Sequence, residues 1–223
     1  MTDVRTLAVL TVDFEDYRRQ QLRDVLGNDV PPFPAEVLGQ LELLLSLFND
    51  CAAEATFLSV GRLVNDLPSS VWTSILRRHR LGAHSYEHQF VDQLGPRRFA
   101  EDVRKAKAVL EDAAGWGVSS FRAPCFSNGG CEPWVCAVFA GVGYRIDSSV
   151  RLAKAPTSPH TTLAGSNGRV VEIPLPCYGV GRKRLTVIGG TYFRLLPLYA
   201  IERLLKRAKG DGFTPMIYLH PYD

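Results

Sequence analysis

The chain has 223 residues, of which 46% are hydrophobic and 22% charged, and its formal net charge is +3. That length and balance suit a single α/β domain with one substantial core. With no dense lysine or arginine run, neither nucleic acid nor an anionic membrane surface is implied as a partner.

Met1 to Arg5 leads straight into an apolar strand, without a cationic leader region or a small-residue cleavage site, and no apolar run approaches a membrane span. A cytoplasmic protein with no integral membrane segment is expected. Five cysteines (Cys51, Cys125, Cys131, Cys136 and Cys177), odd in number and without a Cys-x-x-Cys pair, fit a reduced interior better than a disulfide framework or a zinc knuckle.

In chain order, Leu7 to Val12 is an unbroken apolar run of strand length, as in a parallel sheet covered on both faces. It ends in Asp13-Phe14-Glu15-Asp16, and residues 17–34 read as a polar loop. Ala35 to Phe48 carries a helical apolar stripe, Ala55 to Val60 reads as a second strand, and Ser69 to Arg80 as a helix. A strand stub at Leu81 leads into His84-Ser85-Tyr86-Glu87-His88. Pro96 to Ala114 is an amphipathic helix, Phe121-Arg122 a fourth strand stub, Glu132 to Ala140 a helix and Tyr144 to Ile146 a fifth stub. Residues 151–168 dissolve into a long Pro/Ser/Thr/Gly loop. Val170 to Leu175 and Arg184 to Ile188 are strand-like, Leu198 to Lys209 is helical, and Pro215 to Leu219 is a last apolar strand. With no repeat and no linker that would divide it, the chain reads as one domain over residues 1–223.

Alternating β and α units suggest a barrel or a doubly wound sheet. Asp13, His84, Arg122 and His220 each follow directly on a strand. In a parallel barrel such positions converge on one rim, whereas an open sheet collects only those near its switch point. The barrel is therefore expected.

His84 and His88, four residues apart, point the same way if they share a turn of helix. Asp13, Glu15 and Asp16 repel one another unless a cation or strong hydrogen bonds hold them. One carboxylate and two imidazoles form a ligand set that leaves positions open on a metal, the layout of a hydrolytic site. Asp13, nearest the rigid strand, suits a general base, and His220 a general acid. Arg122 and Asp147 are candidates to orient them.

In this order the motifs resemble those of the metal-dependent polysaccharide deacetylases, the carbohydrate esterase 4-like family. Thr11-Val12-Asp13-Phe14-Glu15-Asp16 is similar to the first motif, His84 to His88 to the His-Ser/Thr-x-x-His motif, and Phe121-Arg122-Ala123-Pro124 to the Arg-x-Pro motif. Tyr144 to Ser149 stands where the fourth belongs, and Leu219-His220 matches the last. Gly189 to Pro197 resembles the branch found in bacterial exopolysaccharide and O-antigen clusters.

The resemblance implies a distorted (β/α) barrel with fewer than eight complete units. It also implies Zn2+ or another divalent transition metal on an Asp-His-His triad, with Asp13 as base, His220 as acid, Arg122 supporting the base and Asp147 pairing with His220. Pro124, Phe126 and Tyr192 are the substrate-binding candidates. The chain departs from the family's adjacent aspartates. Strand alternation puts Glu15 on Asp13's face, but the strand ends there and Asp16 is the closer chemical match, so Asp16 is favoured as the acidic ligand with Glu15 the alternative. The tryptophan of the fourth motif is also absent.

The function expected is removal of an N-acetyl group from an amino-sugar unit, with a nucleotide- or lipid-linked precursor as substrate. A deformylase or cyclic amide hydrolase on the same fold is the neighbouring alternative, and a non-catalytic sugar-binding relative the more distant one.

Overall fold

The apolar runs that read as strands assemble into one sheet. The computed structural model describes residues 8–127, 133–155, 161–165, 168–180, 183–186 and 188–223. Val9–Phe14 (β1) is followed by Tyr17–Leu26 (α1), Pro34–Asp50 (α2), Thr56–Ser59 (β2), Leu63–Asp66 (α3) and Ser69–Leu76 (α4). Next come Arg80–Ala83 (β3), Val91–Ala114 (α5), Ser120–Phe121 (β4), Pro133–Val142 (α6), Ile146–Asp147 (β5) and Arg151–Leu152 (β6). Thr161–Gly165 (β7), Gly168–Glu172 (β8), Leu175–Pro176 (β9), Tyr178–Val180 (β10) and Lys183–Leu185 (β11) precede Thr191–Leu195 (α7), Leu198–Gly210 (α8) and Met216–Leu219 (β12).

The main sheet has the order β12-β1-β2-β3-β4-β5-β8-β7. Every neighbouring pair in it is parallel except β7 with β8. The winding steps one strand at a time from β1 to β5, as in a barrel, and the last strand returns beside the first. The sheet curls without closing, so the fold is a distorted (β/α) barrel with fewer than eight units.

Helices cover its outer face. On α5 the side chains Phe99, Val103, Ala106 and Leu110, spaced at helical intervals, are all buried in the main core. Burial of this kind stabilises by about 1.5–3 kcal/mol for each large apolar side chain. The inner face is set by strand parity. Thr11, Thr56, Leu58, Ser120, Ser148 and Met216 line a common cavity of about 460 Å³ that opens towards the starts of the strands. Gly82 also belongs to this face, because a Cβ there would run into Leu58 and Ser120.

Several expectations are corrected. Residues 17–34 contain a helix, α1, whose Tyr-Arg-Arg-Gln-Gln-Leu-Arg-Asp-Val-Leu sequence has too little apolar stripe to announce itself. The loop foreseen at 151–168 includes β6 and β7, the second paired antiparallel with β8, where cross-strand pairing overrides a turn-rich composition. His84 to His88 is not helical. It bends after β3, with Ser85 at φ 67° and His88 at φ 56°. Helix α5 begins earlier than Pro96 but is broken at Gly95 (φ 68°, ψ 171°), the conformation that lets Pro96 open the long segment. Cys131 and Glu132 lie outside the described residues, and the other four cysteines are free.

Candidate active site

Strand parity carries from the cavity up to the ends of the strands. Thr11 faces inward on β1, so Asp13 and then Glu15 follow on the same side. Glu15, His84 and His88 are all buried, and a ligand atom from each lies within 4.8 Å of the others. Nε2 of His88 is 2.6 Å from Oε2 of Glu15.

Asp16 is not in this group. Its Oδ1 accepts from the Arg19 amide (3.0 Å) as the N-cap of α1, and its Oδ2 accepts from the Phe33 amide (2.7 Å). Both oxygens are spent on backbone, and the carboxylate that groups with the two histidines is that of Glu15.

The strained His loop is held from both sides. Asp102 on α5 accepts from the amides of Tyr86 (3.0 Å) and Glu87 (3.3 Å), and the carbonyls of Ser85 and Tyr86 accept from Gly61 and Arg62. Left-handed backbone at two non-glycine residues persists only where such contacts over-determine it.

The donor chemistry fits a divalent transition metal. His84 Nδ1 lies 2.8 Å from the Arg122 carbonyl oxygen, which only accepts, so Nδ1 carries the proton and Nε2 keeps a lone pair. Burial pushes the His84 pKa down to about 4 against the pull of Asp13 and Glu15, and the ring is neutral near pH 7. Burial opposes ionisation of Glu15, but His88 beside it, with His84 and His220 beyond, holds its carboxyl down at about 2. His88 Nδ1 is buried without a hydrogen-bond partner, so the set offers more donors than the protein consumes. Ligand atoms about 2.0–2.2 Å from one tetrahedral ion lie about 3.3–3.6 Å apart, so the most separated of these three would close in to that spacing around an ion.

Arg122 is fully buried and organises the neighbouring carboxylate. Its Nη1 donates to Asp13 Oδ1 (2.7 Å) and Thr11 Oγ1 (2.9 Å), its Nε to the Ser148 carbonyl (3.1 Å) and its Nη2 to Ser148 Oγ (3.2 Å). Phe126, half-buried in the short helical turn Pro124–Phe126, packs its ring against Tyr218 and lies near both Arg122 and Arg151. Pro124 is buried beneath it. Tyr192, on α7, packs instead against the smaller apolar cluster of Tyr178, Ile188, Ala208 and Phe213.

His220 stands at the end of β12, and its carboxylate partner is Asp223. Asp223 Oδ2 accepts from the His220 amide (2.8 Å) and lies 3.0 Å from its Nδ1. Arg194 on α7 donates to the carbonyls of Tyr222 and Asp223. Burial lowers the His220 pKa, but the Asp223 hydrogen bond with the charges of Asp13 and Glu15 prevails and raises it. The Tyr222 ring stacks on His220 at 4.8 Å and 15°, and its hydroxyl donates to Glu15 Oε1 (3.3 Å).

Asp147 does not take the role foreseen for it. Ile146 and Ser148 line the interior, so Asp147 points to the opposite face of β5, where it meets Ser149 and its cross-strand partner Glu172. Burial, and then the nearby Asp147 charge, push the Glu172 pKa far up, so this buried pair keeps a proton. Ser149 Oγ in turn accepts from the Ala123 amide (2.8 Å), which ties the pair to the Arg122 turn.

Tyr222 and Asp223 escaped the sequence reading, although a carboxylate three residues after His220 was a visible signal. The 460 Å³ cavity contains none of the candidate residues; the polar cluster lies at the opposite ends of the strands, where barrel sites are built.

Comparisons place this arrangement. The family profile described as "Polysaccharide deacetylase" matches residues 39–144, and one described as "Domain of unknown function (DUF3473)" matches residues 145–223. The sheet crosses that boundary, since β4 pairs with β5 and β12 with β1. A comparison with curated protein sequences finds no match.

Among solved structures, a protein from Mycobacterium smegmatis assigned as a polysaccharide deacetylase is similar at a TM-score of 0.62 and 18% identity, covering 96% of this chain and 78% of its own. The polysaccharide deacetylase of Bacillus cereus gives 0.53 and 14%, covering 97% and 78%. A carbohydrate esterase family 4 pseudoenzyme from Bacillus anthracis gives 0.54 and 14%, covering 97% of this chain and 55% of that one. At these identities the structures establish the fold, and the matched profile places residues 39–144, just under half of the chain, in the polysaccharide deacetylase family.

Proposed function

We propose that the protein is a metal-dependent hydrolase that removes an N-acetyl group from an amino-sugar unit of a bacterial polysaccharide or its precursor. The observation that carries the reading is the convergence of Glu15, His84 and His88 with the Arg122–Asp13 and Asp223–His220 pairs at one end of the sheet. Zn2+ or a similar divalent ion held by Glu15, His84 and His88 would polarise the amide carbonyl and lower the pKa of a water.

Asp13, with one oxygen fixed by Arg122, takes the proton from the attacking water. His220, its pKa raised by the hydrogen bond to Asp223, gives a proton to the departing amine, so acetate and a free amino sugar result. Tyr222, as donor to Glu15 and stacking partner of His220, keeps the acid and the acidic ligand in register. Phe126 offers an aromatic face for the sugar. No described helix is long and apolar enough to cross a membrane. The substrate we favour is a nucleotide- or lipid-linked precursor met in the cytoplasm, as in exopolysaccharide or O-antigen assembly.

The test is purified protein assayed for bound metal and for release of acetate from a panel of N-acetylated amino sugars and their nucleotide-linked forms. Stoichiometric metal, acetate release and loss of both in His84→Ala support the reading. Absence of metal, or full activity in His84→Ala, refutes it. Formate or a ring-opened acid as product would transfer the same site to a different C–N bond.

A further inference from the structure

The modest net charge hides an uneven distribution. Between Arg194 and Asp211 the chain carries five cations (Arg194, Arg203, Lys206, Arg207 and Lys209) against two carboxylates, Glu202 and Asp211, a surplus of three that equals the net charge of the whole chain. Arg207 pairs with Asp211 at 3.5 Å and Arg194 with Asp223 at 3.6 Å. The same stretch exposes its apolar side chains. Leu195 and Leu198 are each 70% exposed and Tyr199 69%, within five consecutive residues at the junction of α7 and α8. Tyr199, Arg203 and Lys206 follow one another along one face of α8. Arg203 has no ion-pair partner among the described residues, and Lys206 reaches Glu202 only at 3.9 Å.

From this we infer that the α7–α8 corner docks on an anionic lipid bilayer, with Leu195, Leu198 and Tyr199 entering the interface and Arg203 and Lys206 facing the headgroups. Leucines beside a tyrosine with basic residues around them are the composition of an interfacial helix face. A second copy of the chain is a poor occupant, because a symmetric contact would bring two surpluses of three positive charges together. An anionic glycan would use the cations and Tyr199 but has no use for two leucines.

Position gives the docking a purpose. Arg194, next to Leu195, grips the Tyr222 and Asp223 carbonyls, and Gly190 at the start of α7 lies against the His220 ring. The surface that meets the membrane is therefore one helical segment from the proposed general acid. That the site is thereby brought to a lipid-linked sugar rests on the deacetylase reading; the docking itself does not.

The experiment is co-sedimentation of the full chain with vesicles of phosphatidylcholine alone or of an equal mixture with phosphatidylglycerol, at low and raised salt. Wild type should sediment with the anionic vesicles, more weakly at raised salt and little with the neutral ones. Since each cation near such a surface contributes about fivefold, the double variant R203E/K206E should bind at least about thirtyfold more weakly. L195S/L198S should also lose binding, with unchanged circular dichroism. No sedimentation of wild type, undiminished binding in both variants, or a wild-type dimer that L195S/L198S converts to monomer would overturn the inference. So would release from the vesicles by an anionic polysaccharide that still binds L195S/L198S as tightly as wild type. None of these outcomes bears on acetate release from soluble substrates, which tests the deacetylase reading separately.

Discussion

Replacing Asp223 by Asn isolates the role given to the His220–Asp223 pair. The change keeps the shape of the side chain and an oxygen that accepts from the His220 amide, but removes the charge 3.0 Å from the ring nitrogen. A hydrogen bond to an ionised group is worth about 1.5–3 kcal/mol, against about 0.5–1.5 for a neutral one. The difference, about 1–1.5 kcal/mol, corresponds to roughly one pKa unit. In the wild type the His220 pKa is raised, and its protonated form is the acid, so activity falls as pH rises through that pKa. Asp223→Asn should therefore move the alkaline limb of the kcat/KM profile down by about one pH unit. It should lower the rate at acidic pH much less. The assay is acetate release over a pH series, with Asp147→Asn as control, since Asp147 lies on the opposite face of β5 and should leave the limb in place. An unmoved limb in Asp223→Asn, or a shift in Asp147→Asn alone, would refute the assignment.

Three further outcomes follow from the same geometry. Asp102→Ala removes the acceptor for the Tyr86 and Glu87 amides and should weaken metal affinity by about ten- to a hundredfold, read by competition with a chromophoric chelator. Arg122→Met leaves Asp13 as a buried charge without its cation and should cost about 3–5 kcal/mol in denaturant unfolding, part of which the added Asp13→Asn should restore. Glu172 holds a proton in the fold that it would release when unfolded. Its contribution is thus complete below the ordinary glutamate pKa and is lost as pH rises through the window up to the raised folded value. Glu172→Gln should flatten that decline, seen as a gain in Tm over wild type that grows with pH.

The arrangement of the barrel was legible because its evidence is local. Apolar runs of strand length alternate with helical stripes, and each run ends in a polar residue that the fold then gathers. Where the structure departs from that reading, the missing information was relational. Glu15 and Asp16 are adjacent and chemically similar; what separates them is that α1 starts at Tyr17 and takes Asp16 as its cap, and that helix is too polar to be seen by its stripe. Asp147 stands in the expected motif, yet one residue of strand parity turns it away from His220 and towards Glu172. The His pair is spaced as on a helix but sits in a bend that Asp102, fourteen residues beyond His88, holds in place.

The central claim is that Glu15, and not Asp16, completes a metal site with His84 and His88. Metal content by inductively coupled plasma mass spectrometry, after identical reconstitution and desalting of wild type, Glu15→Gln and Asp16→Asn, tests it most directly. The geometry predicts one divalent ion per chain in the wild type and in Asp16→Asn, and little in Glu15→Gln. An ion retained in Glu15→Gln and lost in a folded Asp16→Asn would contradict it.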